Sequence, residues 1–470
     1  MSATSTTGRA ALVAANGRAR RPAEPPQGDL SHAEAQRGGE RRDCCQCENV
    51  ANTQSQYPIG IGNNGTGNTS TMATFSSLPK GWEVMKLYGC FTESTAKNSS
   101  LSFTRAMQFN YGRIVDKNES FETDEVKDIY AKYSLVKKGD IVINGLNLNY
   151  DVVSQRVAIV PKDGIITSAY IVLRPREGIY PEFFCYLFKA LDSRKIFHGM
   201  GTGIRLTLSF KELKNMPIPL PPLPEQKAIV AYLDAETGRI DKAIAAEEKM
   251  IALLQERREI VINEAVAPHD GWEVRRLGTI GEFSKGGGIS RDDLQESGLP
   301  AILYGDIYTK CNHAVVEVKN HILDRTAKGA MSVEYGDILM TGSGETKEDI
   351  GKAVVFLGDS SFIGGDVICF RQKDHNSCYL SYALSSEAAK AFRYRESKGE
   401  IVVHIYASSL KQLPIPLPPL PEQEAIVERL DRETGKIDRA IDVKRRQIEL
   451  LRERRQIVID EVVTGKVKVA

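Results

Sequence analysis

The decapeptide PIPLPPLPEQ occupies residues 217–226 and returns unchanged at residues 414–423, 197 residues later. Ten identical residues that include five prolines are not expected twice by chance, so the chain contains an internal repeat. Shorter matches extend this repeat, namely GWEV at 81 and 271, KKGDIVING (137–145) with EYGDILMTG (334–342), and IVLR (171–174) with ICFR (368–371). Each repeat is a variable part followed by a nearly constant tail, which covers 213–244 and 410–441.

The constant tail predicts one long helix in each repeat. Apolar or small residues recur at alternating spacings of four and three, which places them along one seam of a helix. They are Val230, Leu233, Thr237, Ile240, Ile244, Ile251, Leu254, Val261 and Ala265, and then Val427, Leu430, Thr434, Ile437, Ile441, Ile448, Leu451, Val458 and Val462. Charged residues interrupt the seams at Glu247 and Arg258 and at Lys444 and Arg455.

Each predicted helix would be roughly 60 Å long at 1.5 Å per residue. Its seam must be buried on another helix. We expect the two helices of one chain to pair with each other, in an antiparallel coiled coil. A trimer or another self-association would bury the same seam.

The decapeptide predicts a rigid elbow at the start of each helix. Prolines fix φ and remove hydrogen-bond donors, so the segment should form a stiff polyproline-type arm. Pro224 and Pro421 suit the first helical position, and Glu225 and Glu422 favour the positive end of the helix dipole. The predicted elbow residues are Pro217, Pro219, Pro221, Pro222, Pro224, Glu225 and Gln226, with Pro414, Pro416, Pro418, Pro419, Pro421, Glu422 and Gln423. The alternative is a PxxP ligand for proline-binding modules.

The variable parts predict α+β domains with a mixed sheet. Short β-type runs such as DIVING and AYIVLRP alternate with helical stretches such as PEFFCYLFKALDSRK. The predicted organisation is a disordered extension over 1–76, a globular domain over 77–216, an elbow and helix over 217–268, a second globular domain over 269–413, and a second elbow and helix over 414–470. One explanation of the extension is a start codon assigned too early, with Met72 as the natural start.

The composition bounds the class of protein. The 470 residues carry 41% hydrophobic residues and a formal net charge of +1, which is typical of a globular protein. No apolar run approaches the roughly 20 residues that span a bilayer, and five cysteines of the repeats have no framework spacing, so we expect a cytoplasmic protein. These are Cys90, Cys185, Cys311, Cys369 and Cys378. A chain that held nucleic acid alone through phosphates would usually be strongly basic.

Motifs for catalysis are weak throughout. GNNGTGNT (62–69) has Asn68 where a phosphate loop needs lysine. TGSGETKED (341–349) lacks the glycine pattern of a dinucleotide site, and CCQC (44–47) has no second ligand pair at zinc spacing. The sequence therefore predicts a chain that binds rather than catalyses, with no metal and no cofactor of its own.

Two variable domains, each followed by a long helix with a proline-rich entry, resemble the specificity subunit of type I restriction–modification systems. The resemblance covers about 78–470 and is carried by GWEV, GDIVING and GDILMTGSG, GMGTGIRLTLSFKELKNMPIPLPPLPEQ (199–226), SLKQLPIPLPPLPEQ (409–423), the IDKAI and IDRAI helices, and GKVKV (465–469). Residues 1–76 have no counterpart in the family pattern.

The resemblance implies that each globular domain is a target recognition domain that reads half of a bipartite, asymmetric DNA site. The coiled coil would hold the domains apart. Two methyltransferase subunits would carry S-adenosylmethionine and methylate adenine, and restriction subunits, where present, would use ATP with Mg to cleave unmodified DNA. The chain itself would be non-catalytic. A structural coiled-coil scaffold without a DNA role is the alternative.

Residues that read bases should be polar side chains on exposed loops. In the first domain these are Asn147, Asn149, Tyr150, Gln155 and Arg156, with His198, Thr202 and Arg205 of HGMGTGIR. In the second domain they are Lys285, Ser290, Tyr304, Ser343, Thr346 and Lys347, with Lys398 and His404 at the position that matches HGMGTGIR.

Overall fold

The computed structural model describes residues 78–118, 123–148, 155–203, 206–310 and 312–469. The predictions for residues 1–76 lie outside these described residues. The described part consists of two globular domains and two long helices. The prediction of α+β domains with mixed sheets is confirmed.

The first globular domain begins and ends with paired strands. Its strands are β1 (Glu83–Lys86), β2 (Phe91–Glu93), β3 (Ala106–Asn110), β4 (Arg113–Asp116), β5 (Ser134–Val136), β6 (Ile141–Ile143), β7 (Val157–Ile159), β8 (Gly164–Ile166), β9 (Ile171–Pro175) and β10 (Pro217–Leu220). Its helices are α1 (Leu87–Cys90), α2 (Asp124–Ala131), α3 (Pro181–Ser193) and α4 (Phe210–Leu213). The first long helix, α5 (Leu223–Val266), follows.

The second globular domain has the same plan with additions. Its strands are β11 (Glu273–Arg276), β12 (Glu282–Lys285), β13 (Leu299–Ile302), β14 (Ala314–Val315), β15 (Asn320–Ile322), β16 (Met331–Glu334), β17 (Ile338–Thr341), β18 (Ser343–Gly344), β19 (Ala353–Phe356), β20 (Ser360–Ile363), β21 (Val367–Arg371), β22 (Val403–His404) and β23 (Pro414–Leu417). Its helices are α6 (Tyr304–Lys310), α7 (Asp324–Ala327), α8 (Ser377–Leu384), α9 (Glu387–Glu396) and α10 (Ala407–Leu410). The second long helix is α11 (Leu420–Val463).

The two larger sheets of each domain have the same strand order, apart from one strand added in the second domain. In the first domain the strand orders are β2-β9-β6-β7 and β4-β3-β8-β5, and in the second they are β12-β21-β17-β19-β14 and β15-β13-β20-β16. The pair β3–β8 is parallel, as is its counterpart β13–β20. The second domain adds β14 at one sheet edge, so the repeat seen in the sequence is a structural repeat with an insertion.

The GD and R motifs of each repeat form an ion pair inside the sheet. Arg174 donates from Nε and Nη2 to the two carboxylate oxygens of Asp140, at 3.0 and 2.7 Å. Arg371 and Asp337 make the same two-pronged contact, at 2.7 and 2.5 Å. Hydrogen bonding to each aspartate raises the pKa of both arginines. These motif residues therefore hold neighbouring strands together.

The first four residues of the decapeptide form a strand, which corrects the prediction of a polyproline arm. Strand β10 pairs antiparallel with β1, with Met85 opposite Ile218, and Leu87 N–H donates to Met216 at 2.9 Å. In an antiparallel ladder only every second pair exchanges hydrogen bonds. Pro217 and Pro219 fall on the other pairs, where a missing N–H costs nothing. Strand β23 pairs with β11 in the same way.

The bend before each long helix is extended, as predicted, but the helix begins one residue earlier. Pro222 has φ −54° and ψ 143° and precedes Leu223, so Pro224 is the second helical residue and not the first. Glu225 lies in the first turn, as expected. The second repeat has the same geometry at Pro419 and Leu420.

The two long helices pack antiparallel against each other, which confirms pairing within one chain. Ion pairs cross between them: Asp241 with Arg455 at 3.0 Å, Glu247 with Lys444 at 3.0 Å, and Arg258 with Asp438 at 3.3 Å. The charged interruptions of the seams thus find partners on the opposite helix. Every predicted seam residue is buried or half-buried.

The globular domains lie at opposite ends of this helix pair. The first domain's core includes Ile229 and Leu233 of α5 and Ile459 and Val462 of α11. The second domain's core includes Ile262 and Ala265 of α5, and Ile426 and Leu430 of α11. Each domain therefore packs on the start of its own long helix and the end of the other.

Candidate nucleic-acid interface

In the first domain, two loops that contain predicted base-reading residues lie side by side. We call residues 144–148, 198–203 and 206–208 the first loop pair. Leu208 N–H donates to Gly145 at 2.8 Å, and Leu148 N–H donates to Leu206 at 3.2 Å. A side chain at Gly145 would place its Cβ 2.3 Å from the Leu208 carbonyl oxygen, so only glycine permits this approach. The separate sequence segments therefore form one surface.

Arg156 supports this surface from beneath, which corrects its expected exposure. Its side chain is buried. The guanidinium donates to the carbonyl oxygens of Asn144, Leu146 and Asn147, at 3.0, 2.6 and 3.1 Å. Its backbone N–H donates to Asp192 at 2.8 Å. Arg156 thus supports the loop, because its guanidinium points into the protein and binds the loop's carbonyl oxygens.

The other candidates of the first domain differ in exposure. Asn147, Gln155 and Thr202 are exposed, and Asn147 adopts a left-handed φ of 51°. His198 is half-buried in a short 3-10 turn. Three further candidates lie outside the described residues: Asn149, Tyr150 and Arg205.

The second domain has an equivalent surface, the second loop pair, made of residues 342–349 and 397–406. Ser343 on β18 lies opposite His404 on β22, and its hydroxyl lies 2.9 Å from His404 Nδ1. Lys398 N–H donates to the His404 carbonyl at 2.9 Å. Ser343 is buried, which corrects its expected exposure. Lys398 and Thr346 are exposed, and Lys347 and His404 are half-buried.

The two loop pairs differ in charge. The first contains no acidic residue. The second contains two lysines and four acidic residues, which are Glu345, Glu348, Asp349 and Glu400. Near its tip two adjacent apolar side chains, Ile401 and Val402, are 91% and 52% exposed and directly follow Glu400. The two surfaces have similar backbones and different chemistry.

A separate cavity of about 700 Å³ brings together two other candidates of the second domain, Ser290 and Tyr304. Arg291 and Asn320 also line it, and no sequence pattern had indicated either residue. Ser290 donates to Asp293 at 2.7 Å, and this hydrogen bond lowers the pKa of Asp293. Lys285, at the end of β12, is exposed and does not line this cavity.

Sequence reasoning missed an aromatic side chain in the first domain. Tyr111 is 82% exposed at the tip of the turn between β3 and β4. Its φ is 43° and that of Gly112 is 74°, the left-handed pair of a tight hairpin turn. The sequence does contain a signal for this hairpin turn, because Asn-Tyr-Gly (110–112) separates two β-type runs.

A tyrosine joins each domain to its long helix; Tyr186 is half-buried and Tyr382 is buried. Tyr186 of α3 donates to Asp234 of α5 at 2.7 Å, and Tyr382 of α8 donates to Asp431 of α11 at 2.7 Å. Burial raises the pKa of Tyr186 to about 12, so its hydroxyl keeps its proton. In the second domain, the ring of His313 stacks on Tyr382 with ring centroids 4.7 Å apart.

Two chemical possibilities can be checked on the described residues. Their His, Cys, Asp and Glu side chains form no group of three that could hold a metal ion. No helix among them has the length and apolar character needed to cross a membrane.

Comparison with known proteins agrees with this architecture. The family described as "Type I restriction modification DNA specificity domain" matches at residues 79–254 and again at 269–451, once in each repeat. The type I restriction enzyme MjaVIII specificity subunit of Methanocaldococcus jannaschii is 24% identical over 425 residues, which is 83% of this chain and 94% of that protein. The type I restriction enzyme StySPI specificity subunit of Salmonella potsdam is 24% identical over 390 residues, 75% of this chain and 82% of that protein.

A solved structure has the same fold. It comes from work on complex assembly and conformational transition of the type I R-M system, with a TM-score of 0.65 and 19% identity, and the match covers 83% of this chain and all of that one. The family match covers most of the chain and falls on both repeats. The chain therefore belongs to the family of type I restriction–modification specificity subunits, which recognise DNA sequence.

Proposed function

We propose that the two globular domains each read one half of a bipartite, asymmetric DNA site. The observation that carries this proposal is the placement of two domains of equal topology at opposite ends of one antiparallel helix pair. Two DNA-binding domains held apart by a rigid helix pair can bind two sites along one duplex, as dimers bind spaced half-sites. The helices would then set the length of the unread spacer.

The helix length limits the distance between the half-sites. Each long helix has 44 residues, or about 66 Å at 1.5 Å per residue. At 3.4 Å per base pair this corresponds to roughly 19 base pairs as an upper limit. The spacer should have a fixed length. The core of each domain includes residues of both long helices, so neither domain can move along them.

The chemistry of the two loop pairs supports different half-sites. The first loop pair offers amide and hydroxyl groups on Asn147 and Thr202, and the exposed Gln155 of the same domain adds a second amide; these groups suit hydrogen bonding to base edges. The second adds carboxylates, which accept from the amino group of cytosine. Acidic loops repel phosphates, so the second loop pair needs cationic help from elsewhere.

Partner subunits of the restriction–modification system would supply that help. The chain's net charge of +1 is low for a protein that holds DNA alone. We infer assembly with two methyltransferase subunits, which would bind S-adenosylmethionine, and with restriction subunits where these exist, which would use ATP and Mg. These partners would share the phosphate contacts.

We infer that this chain is non-catalytic. Its buried reactive groups have structural duties, as the Asp140–Arg174 and Asp337–Arg371 pairs do. Burial raises the pKa of the Cys90 thiol to about 11 and that of the Cys369 thiol to about 12, so neither provides a thiolate near neutral pH.

A coiled-coil scaffold without a DNA role is the rival function. It predicts an apolar seam that is free to bind other copies. Here the seam of each helix is covered by the other helix and by the two domains, which disfavours that role.

Mapping methylated adenines in cells with and without this gene, alongside its partner subunits, tests the proposal. We expect a bipartite methylated motif that disappears when the gene is deleted. An unchanged set of methylated sites would contradict the proposal, and symmetric self-association without methylation would favour the scaffold.

A further inference from the structure

A glutamine at the end of the first decapeptide ties three elements together. Gln226 lies in the first turn of α5 and is 1% exposed. Its carboxamide oxygen accepts from Tyr180 N–H at 2.8 Å. Its amide nitrogen donates to the carbonyl oxygens of Pro221 at 2.8 Å and Gly178 at 3.4 Å. One side chain therefore links the long helix, the proline bend and the residue that precedes α3.

The second repeat contains the same arrangement. Gln423 is also 1% exposed. Its oxygen accepts from Asn376 N–H at 2.9 Å, and its nitrogen donates to Pro418 at 2.8 Å. Asn376 precedes α8, just as Tyr180 precedes α3. The segments before α3 and α8 differ in sequence, GIYPEFF against HNSCYL, yet both glutamines accept from a backbone N–H there and donate to a proline carbonyl oxygen of the bend. The contacts differ at one point, because the nitrogen of Gln423 lies 3.3 Å from His375 Nδ1 where that of Gln226 contacts the Gly178 carbonyl.

The helices that follow these glutamine contacts, α3 and α8, are also the ones through which each domain is hydrogen-bonded to its long helix. Tyr186 of α3 and Tyr382 of α8 make the hydrogen bonds to the long helices described above. A buried carboxamide with both ends occupied allows one orientation, because rotation would leave an N–H or a carbonyl oxygen unpaired. The glutamine thus fixes the start of the supporting helix relative to the bend, and the tyrosine fixes its middle.

We infer that Gln226 and Gln423 are positioning residues that set the angle at which each domain is mounted on its helix, and thereby the spacer length that the complex accepts. This inference rests on the proposed function. The glutamines bind protein backbone, so their effect on DNA is indirect. They should govern how far apart the half-sites lie, and leave the bases that are read unchanged.

The test uses the full chain assembled with its methyltransferase partners. The substrates are duplexes that carry both half-sites of the wild-type methylated motif, with spacers from three base pairs shorter to three longer. The variant is Q226M/Q423M, which keeps the side-chain volume and removes both hydrogen-bonding ends. The control is Val142→Ala, because Val142 is fully buried between the two sheets of the first domain and belongs to a core that contains no residue of a long helix.

We expect wild type to prefer one spacer strongly. In Q226M/Q423M the methylation rate on spacers one base pair longer or shorter, relative to the best spacer, should rise at least five-fold. Val142→Ala should lower the amount of active complex and leave that ratio unchanged, because a purely structural loss does not alter spacer preference. The single variants Q226M and Q423M each keep one of the two glutamines, and each should raise the ratio by a smaller factor. They replace the double variant in the test if that variant does not fold.

An unchanged ratio in every glutamine variant, beside a strong spacer preference in wild type, would overturn the inference and leave the proposed function intact. A wild-type complex that methylates without any bipartite preference would overturn both. A change in the half-site bases, rather than in the spacer, would also contradict a positioning role.

Discussion

Glu247 and Lys444 face each other across the helix pair, with Oε2 and Nζ 3.0 Å apart, and they occupy the same position in the two repeats, 197 residues apart. They are flanked by the pairs Asp241–Arg455 and Arg258–Asp438, which also exchange places under the repeat. The pair therefore lies where the two-fold symmetry of the repeats passes through the helices. Opposite charges at this point suit pairing of the first helix with the second.

Reversing one charge of this pair should destabilise the chain, and reversing both should restore it. Both side chains are about three-quarters buried, so we expect E247K to lose about 1 kcal/mol of unfolding free energy. E247K/K444E should recover most of the loss. Chemical denaturation of the four proteins in a double-mutant cycle measures this coupling. If the losses of unfolding free energy simply add in the double variant, the contact between Glu247 and Lys444 does not contribute to stability.

Shortening a seam leucine should cost more stability than shortening an exposed leucine of the helix pair. Leu233 and Leu430 are fully buried at equivalent positions, whereas Leu253 is 48% exposed. We expect L233A and L430A each to lose about 2–5 kcal/mol of unfolding free energy. L253A should lose about 0.5 kcal/mol or less. Equal losses at all three positions, measured by denaturant unfolding, would contradict the seam assignment.

Two neighbouring residues of the first domain should separate stability from DNA binding. R156A leaves three loop carbonyls without their donor, so we expect about 2–4 kcal/mol of lost stability and weaker DNA binding. Q155A removes an exposed side chain and should leave the melting temperature within about 2 °C of wild type. Its DNA affinity should fall on the first half-site alone. Thermal unfolding and binding to duplexes with one mutated half-site check both outcomes.

Acidification should weaken the second domain through His313. Burial lowers the pKa of this imidazole below its usual 6.5 and outweighs Asp431, which raises it; Arg258 lowers it further, and Asp438 raises it. The unfolded chain binds the proton more readily, so the stability from this residue is complete above about pH 6.5 and is lost as the pH falls towards the lowered value.

Denaturation at pH 7.5 and 5.5 measures this effect. Wild type should lose more stability on acidification than His313→Asn, whose side chain does not titrate. A residual loss should remain in the variant, because burial also lowers the pKa of His375. Identical losses in the two proteins would show that His313 takes no part.

The periodic features of the chain could be predicted from sequence because they repeat. The 197-residue offset and the spacing of the seam predicted two equivalent domains and two long helices, and the charged interruptions at Glu247 and Arg258 now have partners at Lys444 and Asp438. Periodicity is a local property, and it survives without knowledge of which segments meet.

What depended on a distant partner was missed. Pro217 and Pro219 suggest polyproline until β1 is known to pair with β10 at the alternate residues. Arg156 and Ser343 resemble loop residues that read bases, and only the opposing strands and carbonyls show that they face inward. Gln226 is an ordinary residue for a first helical turn, and its role depends on Tyr180, 46 positions earlier.

We propose that the helix pair sets the distance between the two domains that read DNA. Duplicating one heptad in both helices lengthens the pair by about 10 Å, and duplicating it in one helix alone is the control that breaks their register. Sequencing the methylated adenines should show the same two half-sites with a spacer longer by up to about three base pairs, and no methylation with the control. A change in the half-site sequences, or an unchanged spacer, would contradict the account.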